Sequence, residues 1–222
     1  MKFLVLSDIH GELNNLEKLN SEFAECDAVL FAGDFARFGA AETGLPVLNT
    51  LIKKHDSLFC VIGNCDQSDF LSELENLDVS VENTLVYRDG FKIAGSGGTI
   101  KFTGTTPNER SDEELVSDLN LASQCDDFEN MILILHHPPV DTKCDIITSG
   151  IHVGSKEFRK FIEEKQPLLV VCGHIHESAG IDTIGRTTVI NPGALLEGKY
   201  GIVEIAKEEN KWKVTKAELK SI

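Results

Sequence analysis

The sequence predicts an α/β fold in which helices cross over between the strands of a parallel sheet. Short, continuous apolar runs, typical of strands buried on both faces, alternate with segments whose apolar residues recur every three or four positions. Each of those runs stops at glycine or polar residues, and ligands collect at the carboxyl ends of strands in such sheets. The 222 residues contain no internal repeat and no linker, so we expect a single domain over 1–222.

In the first half of the chain, strands and helices follow one another three times. Leu13, Leu16, Leu19 and Phe23 mark the apolar face of the first helix. The predicted strands are 3–6, 27–32 and 57–62. The predicted helices are 12–26, 40–55 and 68–77. This order is that of parallel strands joined by crossover helices.

The middle of the chain is less regular. Its short predicted strands are 79–81, 85–88 and 91–94, with Asp89-Gly90 as a hairpin turn signal. A loop rich in Gly and Thr follows at 95–108, and Ser111 with Glu114 forms a capping-box pattern at the start of a helix.

The second half returns to the opening pattern. Strand 131–135 is followed by a helix that Ser155 caps and that runs to Lys165, and then by strand 168–172. The remaining predicted strands are 179–184, 187–190, 200–205 and 211–216.

Composition excludes several classes of protein. The hydrophobic content of 41% suits an ordinary globular chain, and no apolar run is long enough to span a membrane. A net charge of −15 repels a nucleic-acid backbone, so a nucleic-acid polymer is not the expected partner. The six cysteines have no CxxC spacing and no export leader precedes the first strand, which predicts reduced thiols in the cytoplasm.

Metal-binding residue types recur at the ends of five predicted strands. Asp and His suit a first-row divalent ion, and a set of oxygen and nitrogen donors without thiolate disfavours a structural zinc site. One catalytic ion must keep an open position, so seven candidates suit two ions about 3.5–4 Å apart that share one carboxylate. The candidates are Asp8, His10, Asp34, Asn64, His136, His174 and His176.

These residues, with the glycines before several of them, resemble the motif set of the calcineurin-like metallophosphoesterases. The matching motifs are Asp8-x-His10, Gly33-Asp34, Gly63-Asn64-x-Asp66, His136 and Gly173-His174-x-His176. The resemblance spans most of the chain and implies a four-layer αββα sandwich of two mixed β-sheets. It also implies a metal-dependent phosphoesterase, in which a hydroxide bridging two ions attacks phosphorus in line.

The resemblance implies a role for each ligand. Asp8, His10 and His176 would bind one ion, and Asn64, His136 and His174 would bind the other. Asp34 would bridge the two. The oxygen and nitrogen donors favour Mn²⁺, with Fe, Zn²⁺ or Ni²⁺ as alternatives.

Two positions depart from the family pattern. The usual GNH[DE] motif is GNCD here, so Cys65 replaces the histidine that, in the family, commonly lies beside the phosphate and helps the leaving group; Asn64 and Cys65 are the catalytic candidates of this motif. A thiol is a poor substitute for an imidazolium, which favours esters with good leaving groups. The GNCD variant resembles small bacterial and archaeal phosphodiesterases that act on activated diesters. The second departure is GDFAR in place of GDxxD, which leaves Asp66 as a candidate partner for one of the ligands.

Two further histidines are candidates for contact with substrate. His137 points away from His136 on the same strand end, and it is either a substrate contact or a histidine beside Pro138 that supports the ligands or lies on the surface. His152 precedes Ser155 and a helix N-terminus, which together would form an anion seat, or else it only packs on the helix start.

The leading hypothesis is therefore a phosphodiesterase for a small phosphoester. The alternatives are a phosphomonoesterase or protein phosphatase, and a non-enzymatic scaffold subunit on the same fold, as in the retromer sorting complex. No membrane partner is expected, and the sequence leaves a homo-oligomer open.

Overall fold

Two mixed β-sheets pack face to face in the computed structural model, which describes residues 1–222. In the first sheet the spatial order is β13 (Lys211–Ser221), β12 (Lys199–Glu208), β1 (Lys2–Leu6), β2 (Ala28–Phe31) and β3 (Leu58–Cys60). Strands β1, β2 and β3 are parallel, whereas β12 runs antiparallel to β1 and β13 antiparallel to β12. The predicted crossover pattern of the first half is therefore confirmed.

The second sheet contains the strands of the middle and the second half. Its spatial order is β10 (Gly180–Ile184), β11 (Thr187–Asn191), β9 (Leu169–Val171), β8 (Met131–Leu135), β5 (Phe91–Ser96) and β4 (Val86–Arg88). Its four inner strands are parallel, and both edge strands are antiparallel to their neighbours. A small parallel pair, β6 (Thr99–Ile100) and β7 (Glu109–Arg110), lies in the loop after β5.

Helices cover the outer face of each sheet. Those of the first half are α1 (Leu13–Lys18), α2 (Asn20–Glu25), α3 (Gly44–Lys54) and α4 (Leu71–Asn76). Those of the second half are α5 (Asp112–Ser117), α6 (Asn120–Ser123) and α7 (Lys156–Lys165). Short 3₁₀ turns occupy 41–43, 68–70, 176–178 and 195–197.

Side-chain alternation along the strands divides the core into three layers. In β1, Leu4 and Leu6 pack with the helices of the first half, while Phe3 and Val5 pack in the cluster between the two sheets. A third cluster joins the second sheet to α5, α6 and α7, with Phe158 and Ile162 from α7. The implied four-layer αββα sandwich is confirmed.

Local structure departs from the expectations at two places. The predicted helix 12–26 is broken at Leu19, whose N–H donates to the carbonyl of Leu16, so two short helices replace one. The segment predicted as strand 79–81 contacts β3 through a single bridge between Cys60 and Ser80 and is not a strand of either sheet.

Candidate metal centre

The seven predicted ligands meet at the edge where the parallel strands of both sheets end. One group of donor atoms comes from Asp8, His10 and His176. His176 Nε2 lies 3.2 Å from Asp8 Oδ1 and 3.3 Å from His10 Nε2, and His10 Nε2 lies 3.8 Å from Asp8 Oδ1. Ligands that share one ion at about 2.1 Å lie about 3.0–3.4 Å apart, so the two spacings from His176, 3.2 and 3.3 Å, match those around a common cation.

Asp34 lies between this group and the remaining candidates. Its Oδ2 is 3.5 Å from His10 Nε2 and 3.7 Å from His136 Nε2. His136 Nε2 is in turn 2.8 Å from Asn64 Oδ1. A single carboxylate therefore contacts both halves of the ligand set, which is the arrangement that a bridging ligand requires.

Hydrogen bonds to the backbone fix which nitrogen of two histidines faces the centre. The Nδ1 atom of His10 donates to the Ala36 carbonyl at 3.1 Å, and that of His136 donates to the Ala32 carbonyl at 2.6 Å. The Nε2 lone pair of each ring therefore points into the cluster. In the neutral ring, His136 Nε2 therefore faces Asn64 Oδ1 as a second acceptor at 2.8 Å.

An unpartnered carboxylate oxygen gives a second test of metal fit. Asp8 is buried, and its Oδ1 has no hydrogen-bond donor, although its Oδ2 accepts from the backbone N–H of His174 at 3.0 Å. Burial by itself would raise the pKa of the Asp8 carboxyl, but contact with His176 and charge on the neighbouring histidines hold it below the usual range. An anionic oxygen among nitrogen lone pairs fits a bound cation.

His174 lies beside the second half of the set, outside the three tight donor groups. Its ring centroid is 5.2 Å from that of His136, and its Nε2 lies 3.1 Å from Thr99 Oγ1. Its Nδ1 is the ring nitrogen without a hydrogen bond. The structure therefore brings His174 to the site, with Nδ1 as the atom available for a metal.

Four of the seven candidates have a left-handed backbone, which L-residues rarely adopt. The φ angles are 54° for Asp8, 49° for His10, 62° for Asp34 and 65° for His174. Such residues cluster at functional sites, where the surrounding structure holds them against a cost of about 1–3 kcal/mol each. The strand exits are therefore shaped to aim these side chains.

Glycines precede three ligands because any side chain would collide with the centre. A Cβ on Gly63 would lie 2.0 Å from Asp34 Oδ1, and one on Gly173 would lie 1.8 Å from Ser7 Oγ. Gly63 and Gly173 are therefore explained by the close approach of their backbone to the neighbouring ligand loops.

Asp66 supports the centre through the backbone of the loop after β2. Its carboxylate accepts from the N–H groups of Gly63, Asp34, Phe35 and Ala36 at 2.7–3.2 Å. Burial and the nearby charge of Asp34 raise the pKa of Asp66 to about 6. Asp66 therefore clamps two strand exits together and bonds to no ligand side chain.

The residue at the departure from the family motif, Cys65, is buried beside Asp34. Its backbone N–H donates to Asp34 Oδ1 at 2.7 Å, and its sulfur lies within 4.8 Å of donor atoms of His10 and Asp34. Burial and the charge of Asp34 raise the pKa of this thiol, so it stays protonated. A neutral thiol of this kind is a weak acid and a weak ligand.

His137 is buried with both ring nitrogens engaged. Its Nε2 donates to the Val153 carbonyl at 3.1 Å, and its Nδ1 lies 2.8 Å from Thr99 Oγ1. Burial, followed by the charge of His136, lowers the pKa of His137 to about 3. No ring nitrogen remains for a substrate, so of the two readings left open the geometry favours support of the ligands.

His152 has one nitrogen held and the other free. Its Nδ1 donates to the fully buried Asp145 carboxylate at 2.8 Å, and its side chain is 37% exposed. The hydrogen bond and the charge of Asp145 raise the pKa of His152 above 6.5. The predicted anion seat beside it is wrong, because Asp112 bonds to the Ser155 hydroxyl and to the N–H of Lys156 and so fills the N-terminus of α7.

Two residues at the site were missed from the sequence. Thr99, in the loop rich in Gly and Thr, bonds to two histidines. Asn191, at the end of β11, is fully buried and donates from Nδ2 to the Ile175 carbonyl at 2.9 Å, inside the loop of His174. Asn191 ends a buried strand, so the rule that found the ligands would have found it as well.

Comparison with known proteins identifies the family. The model of the calcineurin-like phosphoesterases matches residues 1–178. The uncharacterized protein MJ1162 of Methanocaldococcus jannaschii is 35% identical over 198 residues, which are 86% of this chain and 88% of the relative.

Solved structures share the fold. The structure of TT1561 of Thermus thermophilus superimposes with a TM-score of 0.74 at 21% identity, covering 99% of this chain and 98% of the other. An archaeal phosphodiesterase superimposes with a TM-score of 0.51 at 19% identity, covering 99% of each chain. No helix of the present structure has the length and apolar character needed to cross a membrane. The chain belongs to the calcineurin-like phosphoesterases and is a metal-dependent phosphoester hydrolase.

Proposed function

We propose that this protein is a binuclear phosphodiesterase for small diesters that carry apolar, readily departing ester groups. The observation that carries the binuclear part is the position of Asp34, whose Oδ2 lies 3.5 Å from His10 Nε2 and 3.7 Å from His136 Nε2. When bound, two divalent ions supply Lewis-acid charge for the phosphoryl oxygens and activate water for attack on phosphorus. Oxygen and neutral nitrogen donors favour Mn²⁺.

The side chains near the centre supply little help to a poor leaving group. Cys65 remains a neutral thiol because its pKa is raised, and both nitrogens of His137 are engaged. Positioned acids contribute about 10²–10⁴-fold to such reactions. Without one at these positions, the enzyme depends on leaving groups that depart as stable anions, such as phenolates.

Four exposed apolar side chains lie in loops that adjoin the centre, and we call these four the apolar rim. They come from four different loops, three of which contact a predicted ligand directly, while the fourth accepts a hydrogen bond from His137. These side chains are Phe38, Phe102, Ile151 and Leu196.

Two of them belong to loops that contact the first half of the ligand set. The backbone N–H of Leu196 donates to the Asp8 carbonyl at 3.1 Å. Phe38 follows by two residues Ala36, whose carbonyl accepts from His10.

The other two lie beside the second half of the set. Ile151 precedes by two residues Val153, whose carbonyl accepts from His137. Phe102 follows Thr99 by three residues in the loop that joins β6 to β7. A diester offers two ester groups to such a rim, whereas a monoester offers one, so the rim supports diesters with apolar substituents.

The cytoplasm is the proposed location because all six cysteines are free. The functional test compares bis(p-nitrophenyl) phosphate with p-nitrophenyl phosphate, using metal-free protein reloaded with Mn²⁺. We expect the diester to have the higher kcat/KM. A preference for the monoester would identify a phosphomonoesterase, and no turnover of either ester by the loaded protein would contradict the proposal.

A further inference from the structure

We propose that Thr99 and His137 are positioning residues that hold the His174 ring with Nδ1 deprotonated and facing the second metal position. The observation is a chain of three hydrogen bonds that runs from His174 to a backbone carbonyl. His174 Nε2 lies 3.1 Å from Thr99 Oγ1, Thr99 Oγ1 lies 2.8 Å from His137 Nδ1, and His137 Nε2 lies 3.1 Å from the Val153 carbonyl. We refer to Thr99, His137 and Val153 as the relay.

Counting protons along the relay fixes its direction. The Val153 oxygen can only accept, so His137 Nε2 carries a proton and, in a neutral ring, His137 Nδ1 does not. Thr99 has one hydroxyl proton, which it must donate to His137 Nδ1. Thr99 then accepts from His174, so Nε2 of that ring is protonated and its Nδ1 keeps the lone pair that a metal ion needs.

If the relay ran the other way, His137 Nδ1 would donate to Thr99 and His137 would carry two protons and a positive charge. The surroundings of His137 disfavour that charge. His137 is 3% exposed, follows His136 in the chain, and has its ring centroid 5.3 Å from that of His174. No carboxylate hydrogen bonds to it. A charge in this position would be desolvated beside two other imidazoles, and bound metal ions would oppose it further.

The parallel pair β6 and β7, which carries Thr99, is itself anchored to the centre. The backbone N–H of Thr99 donates to the Asn108 carbonyl at 3.1 Å, and the Asn108 N–H donates to the Asn64 carbonyl at 3.1 Å. The hydroxyl of Thr99 is therefore held in register with two proposed ligands of the same ion, Asn64 and His174.

In two other predicted ligands, the outer ring nitrogen donates directly to a backbone carbonyl, and the relay plays the same part for His174. The outer nitrogens of His10 and His136 donate straight to the carbonyls of Ala36 and Ala32. His174, on its left-handed backbone, has instead the relay between its outer nitrogen and a carbonyl. Partners of this kind typically change metal affinity by about 10–100-fold when they are removed.

The direction of the relay is measured on the metal-free protein, so the test does not depend on the proposed function. Nitrogen-15 NMR of the histidine side chains separates protonated from unprotonated ring nitrogens. We expect His174 and His137 both to carry their proton on Nε2, and the Thr99 hydroxyl proton to exchange slowly. A proton on Nδ1 of either ring would overturn the proposal.

Two variants measure what the relay does for the ligand. Thr99→Val removes the hydroxyl at nearly constant volume, and Thr99→Ser keeps it. Calorimetric titration with Mn²⁺ should show the second ion binding about 10–100-fold more weakly to Thr99→Val, with binding of the first ion unchanged and Thr99→Ser close to the natural protein. Equal weakening in both variants, or none in Thr99→Val, would overturn the proposal.

The inference rests on the proposed two-ion centre, and its failure can be told apart from failure of that proposal. If the natural protein binds only one Mn²⁺, the binuclear proposal fails, and the NMR result still decides whether the relay sets the His174 tautomer. If two ions bind and Thr99→Val is indistinguishable from Thr99→Ser, the relay proposal fails and the binuclear proposal stands.

Discussion

His136 Nε2 and Asn64 Oδ1 face each other at 2.8 Å. In a neutral His136 ring the single proton is on Nδ1, where it is donated to the Ala32 carbonyl, so both atoms of the pair are then acceptors. Two buried acceptors at this distance repel each other unless a cation lies between them. The metal-free protein is therefore expected to carry a destabilising contact that metal binding relieves.

Removal of metal should consequently lower thermal stability. At a free Mn²⁺ concentration of 100 times Kd, the ion adds about 2.7 kcal/mol to the free energy of unfolding. For a chain of this size that corresponds to an increase of about 5–11 °C in Tm. Differential scanning calorimetry of chelated and reloaded protein measures the shift, with metal-saturated chelator as the control. An unchanged Tm at saturating Mn²⁺ would argue against the site.

Substitution of Cys65 should change which leaving groups the enzyme can release from a diester. Cys65→His would place an imidazole beside the centre and should raise turnover of alkyl diesters by up to about 10²–10⁴-fold, with little change for bis(p-nitrophenyl) phosphate. Cys65→Ala is the matched control. It should leave turnover of the alkyl diesters and of bis(p-nitrophenyl) phosphate unchanged, because the thiol stays protonated.

Two results would count against this interpretation of Cys65. A large loss in Cys65→Ala would make the thiol a participant. No selective gain in Cys65→His with both ions bound would mean that another group already protonates the leaving oxygen, and His152, with its free Nε2, would be the first to test by His152→Ala.

The Asp145–His152 pair should give the protein a pH dependence with a definite sign. Because Asp145 raises the pKa of His152 above 6.5, the pair stabilises the folded state fully below about pH 6.5, and this stabilisation is lost as pH rises through the raised value. NMR titration should place the midpoint above 6.5 in the natural protein. Asp145→Asn should bring the midpoint of the His152 titration back toward 6.5, and Asp141→Asn should shift this midpoint less. A natural midpoint at or below 6.5 would rule out the assignment.

The apolar rim should contribute to substrate binding. Phe102→Ala should raise KM for bis(p-nitrophenyl) phosphate about fivefold, the effect of uncovering roughly 40 Å² of apolar surface at about 25 cal/mol per Å². Tyr87→Ala is the control, since Tyr87 is an exposed aromatic residue on the edge strand β4. KM for dimethyl phosphate should change in neither variant. Equal KM changes in both variants would remove the rim from substrate binding.

Much of the site was predictable because its residues obey a local rule. Each ligand follows a buried apolar run, and parallel strands end at a common edge, so Asp8, Asp34 and His136 could be grouped before their distances were known. The four layers followed from the family resemblance rather than from periodicity. That β12 returns to lie beside β1, with β13 on its outer side, depends on long-range pairing, which local sequence does not encode.

The residues that escaped prediction act across long sequence separations. Thr99 and His137 are 38 residues apart, and nothing in a loop rich in Gly and Thr marks one hydroxyl as the partner of two imidazoles. The N-terminus of α7 resembled an anion seat, but Asp112, from another helix, fills it. Both results depend on how distant segments pack, which is decided by tertiary structure.

Neutralising Asp34 should affect both ions. Asp34→Asn keeps the shape of the side chain and removes the charged oxygen that lies between His10 and His136, so both ions should bind more weakly by more than the 10–100-fold typical of an outer partner. Asp69→Asn, at an exposed position, is the matched control. Metal analysis that found two ions still bound to Asp34→Asn at the natural affinity would contradict the bridging role.

Anomalous diffraction from crystals soaked in Mn²⁺ tests the central claim most directly. The account predicts two anomalous peaks about 3.5–4 Å apart, with the Asp34 carboxylate in contact with both. It also predicts that Asp8, His10 and His176 surround one peak, while Asn64, His136 and His174 surround the other. A single peak, or two peaks of which Asp34 touches only one, would contradict the binuclear centre.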